Sequence, residues 1–319
     1  MAVIYSRIIQ GREKRPIFHR RTDMGFLKRI GIFFLVNILV IATISIVLSI
    51  LGVGHYLTAR GIDYRSLMIF CLVWGMGGAF ISLGISRMMA KWMMGVEVID
   101  PATTQPELSR LVATVHNLAK AANLPAMPEV GVYDSPELNA FATGPTKSRA
   151  LVAVSTGLLY NMNPSEVEGV LGHEITHIAN GDMVTMTLIQ GVINAFVMFL
   201  SRVIGFFVSQ QVKEESRPLV NFLVVIVLDI LLSILGSMAV AAFSRKREFS
   251  ADRGGAMLAG RDKMIAALRA LQQTHIIDKA NEHPSLATLK ISSGGSRGFL
   301  ALLATHPPLE ERIARLETM

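Results

Sequence analysis

"NPSEVEGVLGHEITHIANGD", residues 163–182, sets two histidines four apart with a glutamate beside the first. Asn163 suits a helix N-cap, Pro164 the first helical position, and Glu166 the third, where it completes a capping box. The Asn-Gly pair at 180–181 suits a helix end. The stretch therefore predicts one helix with a defined start and stop. On that helix His173 and His177 lie one turn apart on the same face, so both can reach one ion. An ion held there lowers the pKa of a bound water to about 7, and Glu174 is placed to take its proton. The plain alternative is a chance HExxH on a solvated helix, against which the caps weigh.

Composition widens the reading. The chain has 319 residues, 51% of them hydrophobic and 17% charged, with a mean hydropathy of +0.45. That is too apolar for a typical soluble enzyme, so membrane spans are expected. The net charge of +7 is localised: residues 1–29 carry eight basic side chains against Glu13 and Asp23, a net of +6, and the rest sums to +1. A basic tail abutting an apolar run suits an anionic membrane surface, not a nucleic-acid face. Cys71 is the lone cysteine, so no intrachain disulfide or cysteine-based zinc site is available, and a metal must rely on His and carboxylate.

Residues 30–52 form an uncharged run of 23 residues. As a helix this is about 34 Å long, enough to cross the hydrocarbon core and too long for a cleaved signal peptide. Residues 66–86 read as a second span, with Arg87 and Lys91 just beyond it. Residues 183–208 and 219–243, joined by the polar "SQQVKEESRP", read as a transmembrane hairpin; a hairpin buried in a large soluble protein is the alternative. The heavier basic segments (the tail, and those after spans two and four) fall on one side, which the positive-inside rule makes cytoplasmic. The predicted organisation is a basic tail at 1–29, two spans within 30–86, a catalytic portion at 87–182, the hairpin at 183–243 and a second catalytic portion at 244–319. Arg202 and Asp229 lie inside the hairpin, where an ion pair is favoured over a proton relay.

Between the spans, 105–123 shows the periodicity of an amphipathic helix, and 128–134, 138–144 and 150–156 read as short strands of a small sheet. The fold class is mainly α with a small β-sheet: four transmembrane helices plus a split cytoplasmic domain carrying the HExxH pattern expected of a zincin-like metalloprotease. A third histidine six residues after the second is ruled out, because Met183 sits there. Glu248, in "SRKREFSADRGGA", is the best third ligand, since two spans return the chain to the side it left; an exposed acid among basic neighbours is the alternative. Asp252, four residues on, is placed to orient a ligand imidazole.

Together "HEITH…NGD", "NAFATG" and "REFSAD" resemble the HtpX-type membrane metalloproteases of bacteria, relatives of the CAAX prenyl proteases, from about Met24 to the C-terminus. The resemblance implies a zinc-dependent endopeptidase of the bacterial inner membrane, with one zinc per chain and its site on the cytoplasmic side. Its substrates would be peptides and misfolded or damaged membrane proteins, in stress-linked quality control beside other such proteases. By resemblance His173, His177 and Glu248 bind zinc and Glu174 is general base and acid. "NAFATG" corresponds to an edge strand on which Asn139 and Ala140 hold substrate backbone by strand addition; plain sheet core needs no such role. "THPPLEERI" corresponds to a motif in which His306 donates to the oxyanion with Arg312 in support; a turn before a helix is the alternative.

The first 23 residues extend beyond the family's usual start, which leaves open whether Met1 or Met24 begins the protein. "ISSGGSRG", 291–298, reads as a flexible loop able to gate the cleft. Two other functions compete. A catalytically silent scaffold or chaperone-like adaptor has no need of Glu174 beside a metal, and a metal transporter would place its histidines and acids inside the spans.

Overall fold

A computed structural model describes residues 26–50, 57–58, 61–281 and 302–319. Most of the basic tail and the 291–298 loop lie outside the described residues. Of the described residues, Phe26–Leu39 fall in one unit and those from Val40 onward in the other. Helix α1 (Phe26–Ile50) holds most of the first predicted span, and its Ile44 and Leu48 are buried. A two-stranded hairpin, β1 (Leu57–Thr58) with β2 (Gly61–Ile62), leads to α2 (Tyr64–Met93). Asp63 caps α2, accepting from the backbone N–H groups of Arg65 and Ser66. The described residues contain three helices long and apolar enough to cross a membrane: α2, α6 (Asp182–Ser209), and α7 (Arg217–Ala259) with the short 3-10 turn before it.

Helix α7 runs unbroken for 43 residues and carries "REFSAD" on the same rod as the fourth apolar run. No proline or glycine interrupts it between Gly236 and Gly254, so nothing in the sequence stops the helix where its apolar character ends. α2 and α7 flank α6. Inside the hairpin Arg202 faces Asp229 at 3.8 Å, Ser201 donates its hydroxyl to Asp229, and the guanidinium sits 5.7 Å from the centre of the Phe70 ring. The expected pairing is thus present, which spares each charge an unpartnered place in an apolar layer.

The amphipathic segment forms α3 (Pro106–Ala121), burying Leu108, Leu111, Val112, Val115, Leu118 and Ala119 on one stripe. The sheet has the order β3-β4-β6-β5, from β3 (Glu97–Val98), β4 (Glu129–Tyr133), β5 (Ala140–Thr143) and β6 (Leu151–Ser155). β4 and β6 run parallel and the outer pairs antiparallel. β6 is buried along its whole length, which explains its continuous apolar run in place of an alternating one. The three predicted strands appear within two residues of their expected ends. Arg87 and Lys91, read as orientation signals, both pair with Glu129 of β4, so the end of α2 is fastened to the sheet.

Helix α4 (Thr156–Asn161) leads into α5 (Pro164–Asn180), which carries the opening motif. α5 packs on α7 and on α8 (Arg261–Asn281), and the chain ends in α9 (Leu309–Glu317) against both of these last two. Met264, Leu268, Ile313 and Leu316 form the apolar seam beneath α9.

Candidate metal centre

The caps expected on α5 are present. The Asn163 side chain accepts from the N–H groups of Ser165 and Glu166, and Glu166 reaches back to the Asn163 N–H. At the other end Gly181 is left-handed, with φ of 73°, and its N–H closes on the carbonyl of Ile178. Between these ends His173 and His177 are both buried, their Nε2 atoms 3.0 Å apart.

Glu248 arrives from α7, 1% exposed, with its oxygens 3.5 Å from His173 Nε2 and 3.3 Å from His177 Nε2. An ion bound tetrahedrally at 2.0–2.1 Å separates its ligand atoms by about 3.3 Å, close to the spacing of the two Nε2 atoms and to the approach of one Glu248 oxygen to each of them. One atom from each residue can be chosen so that all lie within 4.8 Å of one another. The sequence-expected trio is therefore brought together, from helices separated by a whole hairpin.

The outer ring nitrogens are also fixed. His173 Nδ1 lies 2.9 Å from Asp252, as expected, and His177 Nδ1 lies 2.6 Å from Asp182. Each brace commits Nδ1 to a carboxylate and leaves Nε2 for the centre. Burial alone would lower both histidine pKa values. Hydrogen bonds to Asp252 and Glu248 reverse this for His173, and bonds to Asp182 and Glu248 push His177 up to about 9. The carboxylates thus demand positive charge between them, which two imidazolium protons or one divalent cation can supply. The donor set fits the cation.

Asp182 was missed by sequence reasoning although it closes the opening motif. Its role depends on Gly181, whose left-handed turn folds the first residue of α6 back beneath His177. Arg247 was missed too: it donates to the Asp182 carbonyl at 3.4 Å and stands 3.8 Å from Glu248.

Glu174 lines a cavity of about 530 Å³ with His173 and Glu248. Its carboxylate accepts the Ala142 N–H at 2.9 Å. β5 lies at a sheet edge, as expected for "NAFATG". Asn139, however, spends both backbone groups on Ser155, accepting its N–H at 2.9 Å and donating to its hydroxyl at 3.1 Å. By the alternation of antiparallel ladders, Ala140 and Ala142 then turn their backbone groups away from β6. Of the two expected residues, Ala140 is the one whose backbone is directed outward. Asn139 still lines the cavity.

The C-terminal residues divide. His306 lines the cavity and approaches Glu248, Nδ1 to carboxylate oxygen, at 2.8 Å. Arg312, expected in support of His306, approaches from Nη1 the same Glu248 oxygen that His306 meets, at 3.7 Å. It is buried and gives its guanidinium to Asp252 in two bonds of 2.8 and 2.6 Å, with a third approach of 3.5 Å to His173 Nδ1. A fork-to-carboxylate pair is the strongest geometry open to it, and Asp252, buried beside His173, offers the matching partner.

Two carboxylate-braced imidazoles, a third carboxylate, the Glu174 acid held by the edge strand, and one cavity beside them define a metalloprotease. Residues 105–319 match the model of peptidase family M48, and the chain belongs to that family. It is 55% identical over 297 residues to the protease HtpX homolog of Bacillus subtilis, covering 91% of this chain and 99% of that protein. It is 50% identical over 298 residues to the homolog of Thiobacillus denitrificans, covering 92% and 100%. Among solved structures, the crystal structure of S. mikatae Ste24p matches with a TM-score of 0.60 at 16% identity, over 91% of this chain and 64% of that one, a likeness of fold.

Proposed function

We propose that the chain is a zinc-dependent endopeptidase, crossing the bacterial inner membrane four times with its site on the cytoplasmic side. Its substrates are misfolded or damaged membrane proteins. The observation that carries this reading is the Glu174 carboxylate, held by the Ala142 N–H at 2.9 Å beside the His173, His177 and Glu248 cluster. A binding protein has no use for a free acid fixed at that place.

His173, His177 and Glu248 would hold the metal. Two imidazoles and one carboxylate suit zinc. When bound, the metal polarises the scissile carbonyl and lowers the pKa of water. Glu174 would accept a proton from the attacking water and return it to the leaving amine. Ala140 pairs with the substrate backbone as an added strand, with Asn139 beside it. His306, tied through Nδ1 to Glu248, has its other ring nitrogen for the oxyanion. Arg312 acts through Asp252 on His173 and is a positioning residue. Leu158, Val170, Met264 and Leu268 line the same cavity and suit an apolar substrate side chain. The partition into tail, paired spans, hairpin and two catalytic portions follows the charge pattern of the sequence.

The test pairs wild type with Glu174→Gln in detergent, following zinc content and cleavage of a membrane-protein substrate. Loss of cleavage by about 10²–10⁴-fold with zinc retained is expected. Cleavage that persists in the variant removes Glu174 from the mechanism.

A further inference from the structure

Arg245 stands on α7 three residues before Glu248, just past the last apolar turn. In the sequence it is one of a basic run whose evident use is orientation in the membrane. In the structure its guanidinium grips backbone instead, Nη1 donating to the carbonyls of Leu302 and Ala304 at 3.0 and 2.7 Å. These carbonyls precede His306 by four and two residues. His306 itself has 66% of its side chain exposed and meets the buried centre through Nδ1, 2.8 Å from Glu248. A ring so open needs its backbone held if it is to meet one atom.

We propose that Arg245 is a positioning residue that fixes the 302–306 backbone and so sets His306 against Glu248 and the cavity. The same helix then carries both Glu248 and the clamp for the residue that approaches it, so the two are held in one frame. Among the described residues, fastenings beyond His306 include Arg312 on Asp252, Arg315 over the Phe249 ring at 3.6 Å, and Glu310 and Glu317 on Gln272 and Arg269. Arg245 grips the other flank, and with it His306 is fixed from both sides. Nη1 gives both bonds, and a charged donor to a carbonyl is stronger than a neutral one. The inference rests on the proposed peptidase reading for its kinetic arm and on geometry alone for its other arm.

The experiment uses the full chain in detergent with Arg245→Ala, Arg245→Lys, His306→Ala and the Arg245→Ala/His306→Ala double variant. Amide hydrogen exchange of residues 302–308 is followed by mass spectrometry. Faster exchange in Arg245→Ala, partly restored in Arg245→Lys and absent from His306→Ala, is expected. Exchange equal to wild type in Arg245→Ala overturns the proposal. In the kinetic arm, Arg245→Ala is expected to lower kcat by about 10–100-fold with KM and zinc content little changed, since small misplacements cost that much. The double variant should be no slower than His306→Ala. Losses that multiply in the double variant overturn the proposal, because Arg245 then acts apart from His306. A wild type that binds zinc and cleaves nothing defeats the peptidase reading, while the exchange data still decide the clamp.

Discussion

Asp182 shows how a side chain acquires a role from a backbone turn. Five residues beyond His177 it would leave the ligand face of a continuing helix. Gly181, at φ of 73°, ends α5 and lets α6 begin at once, so the carboxylate comes to rest 2.6 Å from His177 Nδ1. Asp182→Asn keeps the shape and loses the charge. It should fold normally and bind zinc about 10–100-fold more weakly, as outer-shell partners of histidine ligands generally do. Competition with a chelating dye measures this; an unchanged zinc affinity would show that the brace does not matter. Spacing alone exposed His173, Glu174 and His177, and the parity of the spans exposed Glu248. Asp252 followed from its four-residue offset. Asp182 stayed hidden because the helical period stops one residue before it, and the Arg312–Asp252 pair because its members lie 60 residues apart in sequence.

At the level of elements, the ligands are held by how closely α5 lies on its neighbours. A Cβ on Gly169 would sit 2.5 Å from the Lys263 carbonyl oxygen of α8, and one on Gly255 of α7 would sit 2.9 Å from the His173 nitrogen. Both obstacles are backbone, which cannot swing aside as a side chain can. Gly169→Ala must therefore part α5 from α8, at a cost of about 1–3 kcal/mol by analogy with overpacked cores. Thermal unfolding of the zinc-bound protein should show a lower midpoint; an equal midpoint would mean that the two helices have room between them for a methyl group. The capped α5, the amphipathic α3 and strands β4, β5 and β6 were legible because each carries its own period or punctuation. The continuity of α7 was not, since its apolar and amphipathic halves have different patterns and only the absence of a breaker joins them.

Across the whole molecule, four stretches remote in sequence meet around one centre: α5, the β5 edge, the far end of α7 and the C-terminal segment. The helical class, the small sheet and the hairpin were readable from composition and period. The closure by α9 was not, because a nine-residue amphipathic helix reveals nothing of the α7 and α8 surfaces it covers. In such an arrangement a metal is a cross-link between His173 and His177 on one side of the hairpin and Glu248 on the other. Its binding energy is therefore folding energy. With free zinc at a thousandfold its dissociation constant, the bound form gains about 4 kcal/mol over the metal-free one. Glu174→Gln is the right background, because self-cleavage cannot then blur the transition. Chelation should lower its melting temperature and added zinc should restore it, while Glu248→Ala, lacking one anchor of the cross-link, should respond much less. Equal melting with and without chelator, in protein shown to hold one zinc per chain beforehand, would mean that the ion sits on a frame that stands without it.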